Sequence, residues 1–482
     1  MTVQTLTLPE IKKRLVSSFL SLTLRQILLR TIGFISINLV LARILPIETL
    51  GIFNIATGII SFFAFFSDIG LAASLIQKKE AVTSEDIKTT FSIQTLLVGL
   101  LSLTLILLAP ILGDFYSLNA EGVWLIRVLG FSFFLSSLKV LPSVMLERSL
   151  KFKPLVTVEL VETIIFNILL IFLAYQQFGI WSFSIAAFAR GVVGVFLIYL
   201  IAPVKLGFGI SKIALKGLLS FGVPFQINSV LALIKDRLVP LVVARMVGPV
   251  GIGYVTWSQS MAYLPLEIMN IMIRITFPAF SRLQEDKQSL TKTIEKTLFV
   301  TSVGVYPCLF GLAAILPSIV EHVVSSKWQP AVPSFYLFFF SAFWAVISTT
   351  FTNALNAIGK IKTTLKLMVF WTVTTWILTP ILVHFYGFIG VGISSFIISF
   401  TSVITIFLLK KVVQVRVWDC IKLSLTASTI MAISMFWIAS ALVRDKPTLF
   451  LSVFIGALIY TSLILLFGKE RLIKDLKTLR NG

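Results

Sequence analysis

Residues 91–113 read FSIQTLLVGLLSLTLILLAPILG, a stretch without a single charged side chain. A bilayer core about 30 Å thick is crossed by about 20 apolar residues in an α-helix. Similar runs recur along all 482 residues, of which 57% are hydrophobic and only 13% are charged. A transmembrane barrel would alternate apolar and polar side chains at every second residue, and these runs do not. The sequence therefore predicts an all-α polytopic membrane protein.

The apolar runs predict about fourteen transmembrane helices. They cover residues 18–44, 50–75, 91–113, 122–146, 156–176, 179–202, 217–246, 251–278, 297–324, 331–357, 364–384, 388–409, 421–442 and 447–467. The segments between them are too short for a soluble domain.

The net charge of +20 indicates orientation in the membrane. Basic residues are concentrated on one side of the predicted spans, in the N-terminal segment, in alternate connections and in the tail. The opposite side has only Arg43, Arg245, Lys327, Arg444 and Lys446. Cytoplasmic loops are the ones enriched in Lys and Arg, so we expect both termini in the cytoplasm of a bacterial inner membrane. The positive side would face anionic lipid, and no nucleic-acid partner is expected.

Short sequence matches suggest an internal repeat. VLARILP at 40–46 corresponds to VVARMVG at 242–248, KFK at 151–153 to KIK at 360–362, and FGI at 178–180 to YGF at 386–388. Six spans is an even number, so the two halves would be parallel repeats about an axis normal to the membrane. We predict two pseudo-symmetric six-helix lobes, 1–203 and 204–411, followed by a terminal helix pair and cytoplasmic tail, 412–482.

Charged residues within the spans are the candidates for a functional site. A charge at mid-helix costs about 2.5–3.5 kcal/mol on insertion scales, so such residues should face a partner or a cavity. The basic ones are Arg25, Arg30, Arg127, Lys139, Arg190, Lys235, Arg237 and Arg274, and all fall in spans 1, 4, 6, 7 and 8. Nearby prolines such as Pro142 and Pro240 would bend these helices, as in transporter substrate sites.

We predict that Arg30, Lys139, Arg190, Lys235 and Arg237 line a hydrated, net-positive cavity, with Arg25 and Arg274 as further substrate-binding candidates. Such a cavity favours a phosphate or an acidic sugar, because guanidinium groups match phosphate oxygens bidentately. Snorkelling to the headgroups is the alternative for Arg25, Arg127, Arg274, Glu159 and Glu162, which lie near predicted span ends.

Acidic residues within the spans are candidates for ion coupling, namely Asp68, Asp236 and Glu267. Asp236 is also explained as a local ion-pair partner of its basic neighbours, Lys235 and Arg237. The two cysteines and the two histidines are far apart in sequence and in the predicted topology, so we expect no disulfide, metal or cofactor.

Several motifs along the chain are those of a known family. They are LARIL at 41–45 with GIF at 51–53, DIGLA at 68–72, FGVP at 221–224, and PAFSRLQ at 278–284 with Asp286. The sequence resembles, over essentially its whole length, the Wzx-type flippases of O-antigen, exopolysaccharide and teichuronic acid pathways. These belong to the multidrug/oligosaccharidyl-lipid/polysaccharide exporter superfamily.

The resemblance implies a MATE-like fold and a cationic cavity. It further implies that undecaprenyl-diphosphate-linked oligosaccharide is moved to the periplasmic leaflet by alternating access. The partners it implies are the lipid-linked oligosaccharide, membrane lipids and other polysaccharide assembly proteins.

Three other functions stay open. A lipid II flippase would share the helix number and the cationic cavity. A cation-coupled multidrug antiporter would show a net acidic cavity, whereas basic residues outnumber acidic ones in these spans. A membrane polymerase or ligase would need a large outer loop for catalytic groups, and the chain contains no DxD signature of nucleotide-sugar transferases and no phosphate-binding GxxxxGK[ST] loop. We therefore predict a transporter and not an enzyme.

Overall fold

The computed structural model describes residues 26–67, 70–78, 82–149, 151–204, 207–216, 219, 238–443 and 445–481, the last of these with side chains up to residue 468. The chain forms two compact units, Met1–Gly253 and Tyr254–Gly482. This division by packing does not test the repeat-based lobes 1–203 and 204–411 or the terminal segment 412–482, which stay a prediction.

The first unit is built from helices that begin and end close to the predicted spans. They are α1 (Gln26–Ile44), α2 (Ile47–Phe65), α3 (Leu71–Gln77), α4 (Ser84–Phe115), α5 (Ala120–Leu138), α6 (Val140–Arg148), α7 (Phe152–Tyr175), α8 (Trp181–Ile201) and the part of α9 (Val239–Tyr263) up to Gly253. Residues Ile35–Leu41 of α1 form a π-helical turn.

Helix α4 shows why these elements belong in a membrane. Leu96, Leu100, Leu103, Leu107 and Ile111 are each more than half exposed and follow one another at helical spacing. The opposite face of α4 packs inward, with Val98, Leu105 and Ala109 fully buried. A continuous exposed apolar stripe on a long helix is stable against lipid and unstable in water.

Two glycines allow α2 and α9 to approach each other closely. A Cβ on Gly51 would overlap the carbonyl group of Pro249, and a Cβ on Gly253 would lie 2.9 Å from the carbonyl oxygen of Ile47. These two glycines are 202 residues apart, which is the offset between the repeated segments 40–46 and 242–248. The helix pair therefore requires glycine at both places.

The second unit continues from Tyr254. It contains the rest of α9, a 3-10 turn at Leu264–Leu266, α10 (Glu267–Arg282), α11 (Lys287–Ser318), α12 (Val332–Ala357), α13 (Ile361–Tyr386), α14 (Ile389–Phe400), α15 (Val403–Lys410), α16 (Val417–Leu442) and α17 (Lys446–Asn481). A π-helical turn, Ile319–Val324, extends α11, and a 3-10 turn, Ser326–Ala331, precedes α12.

The terminal helices α16 and α17 pack against α11. The hydroxyl of Ser424 donates to that of Ser302 at 2.8 Å, and the Tyr460 hydroxyl donates to the Val303 carbonyl at 2.8 Å. Gly311 lies under Met431, so its lack of a side chain brings α16 close. The predicted terminal pair is thus an integral part of the second unit.

Thirteen helices within the described ranges are long and apolar enough to cross a membrane. The 44-residue one, Val239–Arg282, is interrupted at Gly248, where φ is 68° and ψ is −178°, so it comprises two helices. The seventh predicted span, 217–246, lies mostly outside the described residues. The predicted fold class of an all-α polytopic membrane protein is confirmed by these helices.

Candidate functional site

The site in the first unit forms around the break between α5 and α6. Pro142 has no amide hydrogen, so the carbonyl of Leu138, four residues earlier, loses its helical partner. The hydroxyl of Tyr199 on α8 donates to that carbonyl at 2.7 Å instead. Lys139 lies at the junction itself, between the last residue of α5 and the first of α6.

Lys139 is paired with a buried carboxylate on α7. Its Nζ lies 2.6 Å from Oε1 of Glu162, whose side chain is 3% exposed, while the Lys139 side chain is 18% exposed. A short, charge-assisted bond of this kind is among the stronger hydrogen bonds in proteins. The pair satisfies both charges within the membrane-spanning part of the unit.

Arg190 on α8 approaches the same carboxylate more loosely. Its Nε lies 3.7 Å from Oε2 of Glu162, too far for a hydrogen bond, and its side chain is 48% exposed. The guanidinium also lies 5.7 Å from the centre of the Phe166 ring on α7, within the range of a cation–π contact. The ring and the carboxylate orient Arg190 while leaving much of it accessible.

Gly194, one turn after Arg190 on α8, leaves the space that this arrangement needs. A Cβ at this position would overlap Oε1 of Glu162 and would lie 2.8 Å from Nζ of Lys139. The helix α8 therefore contributes both the accessible cation and the gap that admits the buried pair. We call Lys139, Glu162, Arg190 and Gly194 the Glu162 cluster.

The interpretation of Glu162 as a snorkelling residue near a span end is wrong. Helix α7 begins at Phe152, four residues before the predicted start at 156, which places Glu162 about 15 Å along the helix. No basic residue lies one turn away on α7, so its partners had to come from other helices. That absence is the signal in the sequence for a partner on another helix.

Three of the other predicted site residues, Arg30, Arg274 and Glu267, lie within the described ranges. Arg30 is exposed on α1 in the first unit. Arg274 and Glu267 lie on α10 in the second unit, Arg274 exposed and Glu267 accepting a hydrogen bond from Asn270 at 3.1 Å. Arg25, Asp68, Lys235, Asp236 and Arg237 lie outside the described residues. The assignment of these residues to one cavity stays a prediction.

Within the described ranges, no three histidine, cysteine, aspartate or glutamate side chains lie close enough together to hold a metal ion. Cys308 and Cys420 are free thiols. The expectation that no cofactor takes part stays a prediction.

Comparison with known proteins identifies the family. The family model described as "Polysaccharide biosynthesis protein" matches residues 40–333, more than half of the chain. The chain belongs to this polysaccharide biosynthesis protein family. The match covers α2 to α11 and includes the whole Glu162 cluster.

Two curated relatives agree with that assignment. The chain is 23% identical over 379 residues to "Lipopolysaccharide biosynthesis protein WzxC" of Escherichia coli, which covers 76% of this chain and 74% of the relative. It is 23% identical over 326 residues to "Succinoglycan biosynthesis transport protein ExoT" of Rhizobium meliloti, covering 67% and 65% respectively. The predicted membership of the Wzx-type polysaccharide flippases is confirmed, and with it a role in transport for polysaccharide biosynthesis.

Solved structures show the fold. The chain is similar to the lipid II flippase MurJ in an inward closed conformation, with a TM-score of 0.72 and 16% identity over 93% of this chain and 99% of MurJ. An inward-facing multidrug resistance transporter of the MATE family matches with a TM-score of 0.57 and 17% identity, over 79% and 96%. At such identities the likeness concerns the fold alone, and the chain is a multi-pass membrane protein of MATE-like architecture.

Proposed function

We propose that this chain moves an undecaprenyl-diphosphate-linked oligosaccharide across the bacterial inner membrane, and that Arg190 binds the anionic diphosphate. The observation that supports this role is an accessible arginine, 48% exposed, beside a carboxylate that is already neutralised by a lysine. Such an arginine is held in place but remains available to a second anion.

The net charge of the Glu162 cluster favours an anionic cargo. Two cations share one buried carboxylate, which leaves one net positive charge in the cluster. Guanidinium forks match phosphate oxygens bidentately, so Arg190 is suited to a diphosphate. A multidrug antiporter that binds cations would be opposed by this charge, and the family match favours polysaccharide over lipid II.

The two cations of the cluster have different roles in this proposal. Lys139, at 2.6 Å, holds Glu162 and prevents it from forming a full ion pair with Arg190. Arg190 then exchanges its loose contact with Glu162 for the cargo. Lys139 is therefore a positioning residue in this proposal, whereas the sequence predicts that it lines the cavity together with Arg190.

Further elements of the proposal concern the transport cycle. Both termini face the cytoplasm, and the two six-helix lobes, 1–203 and 204–411, alternate access to the cargo, with Arg30, Arg25, Arg274, Lys235 and Arg237 as additional cationic contacts. Asp68, Asp236 and Glu267 are the candidates for ion coupling. The chain acts as a transporter and not as an enzyme.

The test replaces Arg190 with alanine in a strain that lacks the chromosomal gene. We expect surface polysaccharide to be lost and lipid-linked oligosaccharide to accumulate on the cytoplasmic side, at a normal level of membrane protein. Lys153→Ala, an exposed lysine on α7, is the matched control and should complement fully. Full complementation by Arg190→Ala would contradict the proposed cargo site.

A further inference from the structure

A cavity of about 580 Å³ opens at the opposite end of the same helices in the first unit. It lies between the bend that joins α1 to α2, the first turns of α2 and α5, and the connection from α7 to α8. Its volume is within the range of about 300–1,000 Å³ that small-molecule sites occupy. The predicted topology places this end of the unit on the outer side of the membrane.

The cavity has an apolar floor and a polar rim. Ile44 and Pro46 line it with accessible apolar surface, whereas Leu45, Ile52 and Ile180 also line it but are at most 3% exposed. The rim contains two carboxylates, Glu48 and Glu121, and all its other side chains with polar atoms are uncharged. A flat ligand with one apolar face and several polar edges would match both surfaces.

The charge of the rim defines the chemistry of that ligand. Carboxylates accept hydrogen bonds and do not donate them, whereas amide groups such as those of Asn119 and Gln177 do both. No lysine or arginine is among the lining residues, although the chain as a whole has a net charge of +20. A phosphate or an acidic sugar would be repelled here, whereas a group rich in hydroxyl donors would be held.

Helix-end electrostatics explain part of the rim but not all of it. Glu48 and Glu121 lie in the first turns of α2 and α5, where a negative charge is stabilised by the helix dipole. The helix dipole does not explain the presence of Gln177, whose side chain is uncharged. Its φ of 62° is in the left-handed region, at the turn after α7 where glycine is the usual residue. Glutamine is therefore present at a backbone cost, and its side chain lines the cavity.

A second non-glycine residue in the described ranges has a positive φ, and it also lies next to the cavity lining. It is Ser117, with φ of 54°, and it lies two residues before Asn119, another lining residue. Both strained connections thus border the cavity. Strained backbone of this kind is concentrated at ligand-binding sites.

We propose that this cavity binds a neutral or amino sugar ring, with the apolar face of the ring on Ile44 and Pro46 and its hydroxyl groups on the rim. Ile180 and Arg190 are separated by about 15 Å along α8, and Glu162 and Ala174 by about 18 Å along α7. One unit therefore offers a cationic site and a sugar site along the same pair of helices. The inference rests on the proposed function only for the source of the sugar, the glycan of the cargo.

The experiment uses the full-length protein in lipid nanodiscs and saturation-transfer difference NMR. The probes are the methyl glycosides of glucose, galactose, N-acetylglucosamine and glucosamine, with methyl glucuronoside as the acidic comparison. We expect at least one neutral or amino glycoside to bind with a dissociation constant of about 1 mM or below, and the glucuronoside not to bind.

Two variants test the rim. The double variant Glu48→Ala/Glu121→Ala should weaken glycoside binding at least tenfold, since it removes both charged acceptors and the loss of one charge-assisted hydrogen bond already corresponds to about that factor. Glu85→Ala removes an equivalent first-turn carboxylate of α4, away from the cavity, and should bind as the wild type does. Gln177→Gly relieves the left-handed turn, so it should be at least as heat-stable as the wild type and yet bind the glycoside more weakly.

Three results would overturn the proposal: no glycoside bound by the wild type, unchanged binding in both rim variants, or preference for the glucuronoside. Arg190→Ala should leave glycoside binding unchanged. Failure of the diphosphate site would therefore appear only in the export assay, and failure of the sugar site would appear in the NMR titration.

Discussion

Replacing Lys139 with methionine should impair export by freeing Glu162 to capture Arg190. In the wild type, Glu162 is bound to Lys139 at 2.6 Å and only approached by Arg190 at 3.7 Å. Without the lysine, the buried carboxylate has Arg190 as its remaining cation in the cluster. A second substitution, Glu162→Gln, removes the competing charge and should restore export. Arg190→Met should abolish export, and Glu162→Gln should not restore it.

The expected loss of cargo affinity in Lys139→Met follows from the distance between Arg190 and Glu162 and from the exposure of Arg190. Two unit charges about 4 Å apart attract by about 4 kcal/mol at an effective dielectric constant of 20. Arg190 is nearly half exposed, so screening reduces this to about 1–2 kcal/mol, which corresponds to about 5–30-fold weaker cargo binding. Stability is affected as well, because leaving a buried carboxylate without its partner costs about 3–5 kcal/mol. Lys139→Met should therefore lower both export and membrane protein level.

The assay measures surface polysaccharide per unit of membrane protein in a deletion strain, with Lys153→Met as the matched control on α7. The double variant Lys139→Met/Glu162→Gln should approach the wild type in both quantities. If the double variant reaches a normal protein level but exports as poorly as Lys139→Met, then Lys139 contacts the cargo itself and the division of roles is refuted.

Three further predictions concern packing and capping. Gly194→Ala should lower the membrane protein level, since its Cβ would overlap Glu162 and overpacking costs about 1–3 kcal/mol; Gly33→Ala, where a Cβ meets nothing within 4 Å, should not. Gly51→Ala should be more damaging than Gly33→Ala in a detergent thermostability series, because its Cβ would meet backbone that cannot move aside. Asp286 caps α11 by accepting from the Gln288 and Ser289 amides, and its pKa lies below the ordinary value of 3.8 because of hydrogen bonds from Ser289. Because the pKa is depressed, the cap stabilises the helix above pH 3.8, and this stabilisation is lost as the pH falls through the folded-state pKa. Hydrogen exchange at the Gln288 amide should therefore accelerate in that pH range. Asp286→Asn should show no such acceleration, and an identical acceleration in that variant would contradict the assignment of the cap to Asp286.

The existence of membrane-spanning helices was predictable because it depends on local hydropathy. A run such as 91–113 must be helical in lipid, since each backbone amide and carbonyl has to be satisfied within the segment. The break at Lys139 was also indicated in the sequence, because Pro142 removes a hydrogen bond wherever it lies in a helix. Neither inference requires knowledge of which helices are neighbours.

The sequence indicates two members of the Glu162 cluster but not their roles. Lys139 and Arg190 are both basic residues inside predicted spans, and in the structure both lie within 4 Å of the Glu162 carboxylate. Their different roles were not predictable, because those depend on which cation lies closer to Glu162. Gly194, 32 residues from Glu162 in sequence, had no local signal at all.

By itself, the sequence determined that this chain is a bundle of membrane-spanning helices and to which family it belongs. These properties follow from hydropathy, from backbone chemistry and from motifs that are local in the chain. Only the tertiary structure decided that Glu162 is buried and neutralised by Lys139, that Arg190 stays accessible, and that an acidic-rimmed cavity lies at the other end of the same helices. Pairing and cavity shape depend on the packing of helices that are distant in sequence, and no local pattern encodes the distances between them.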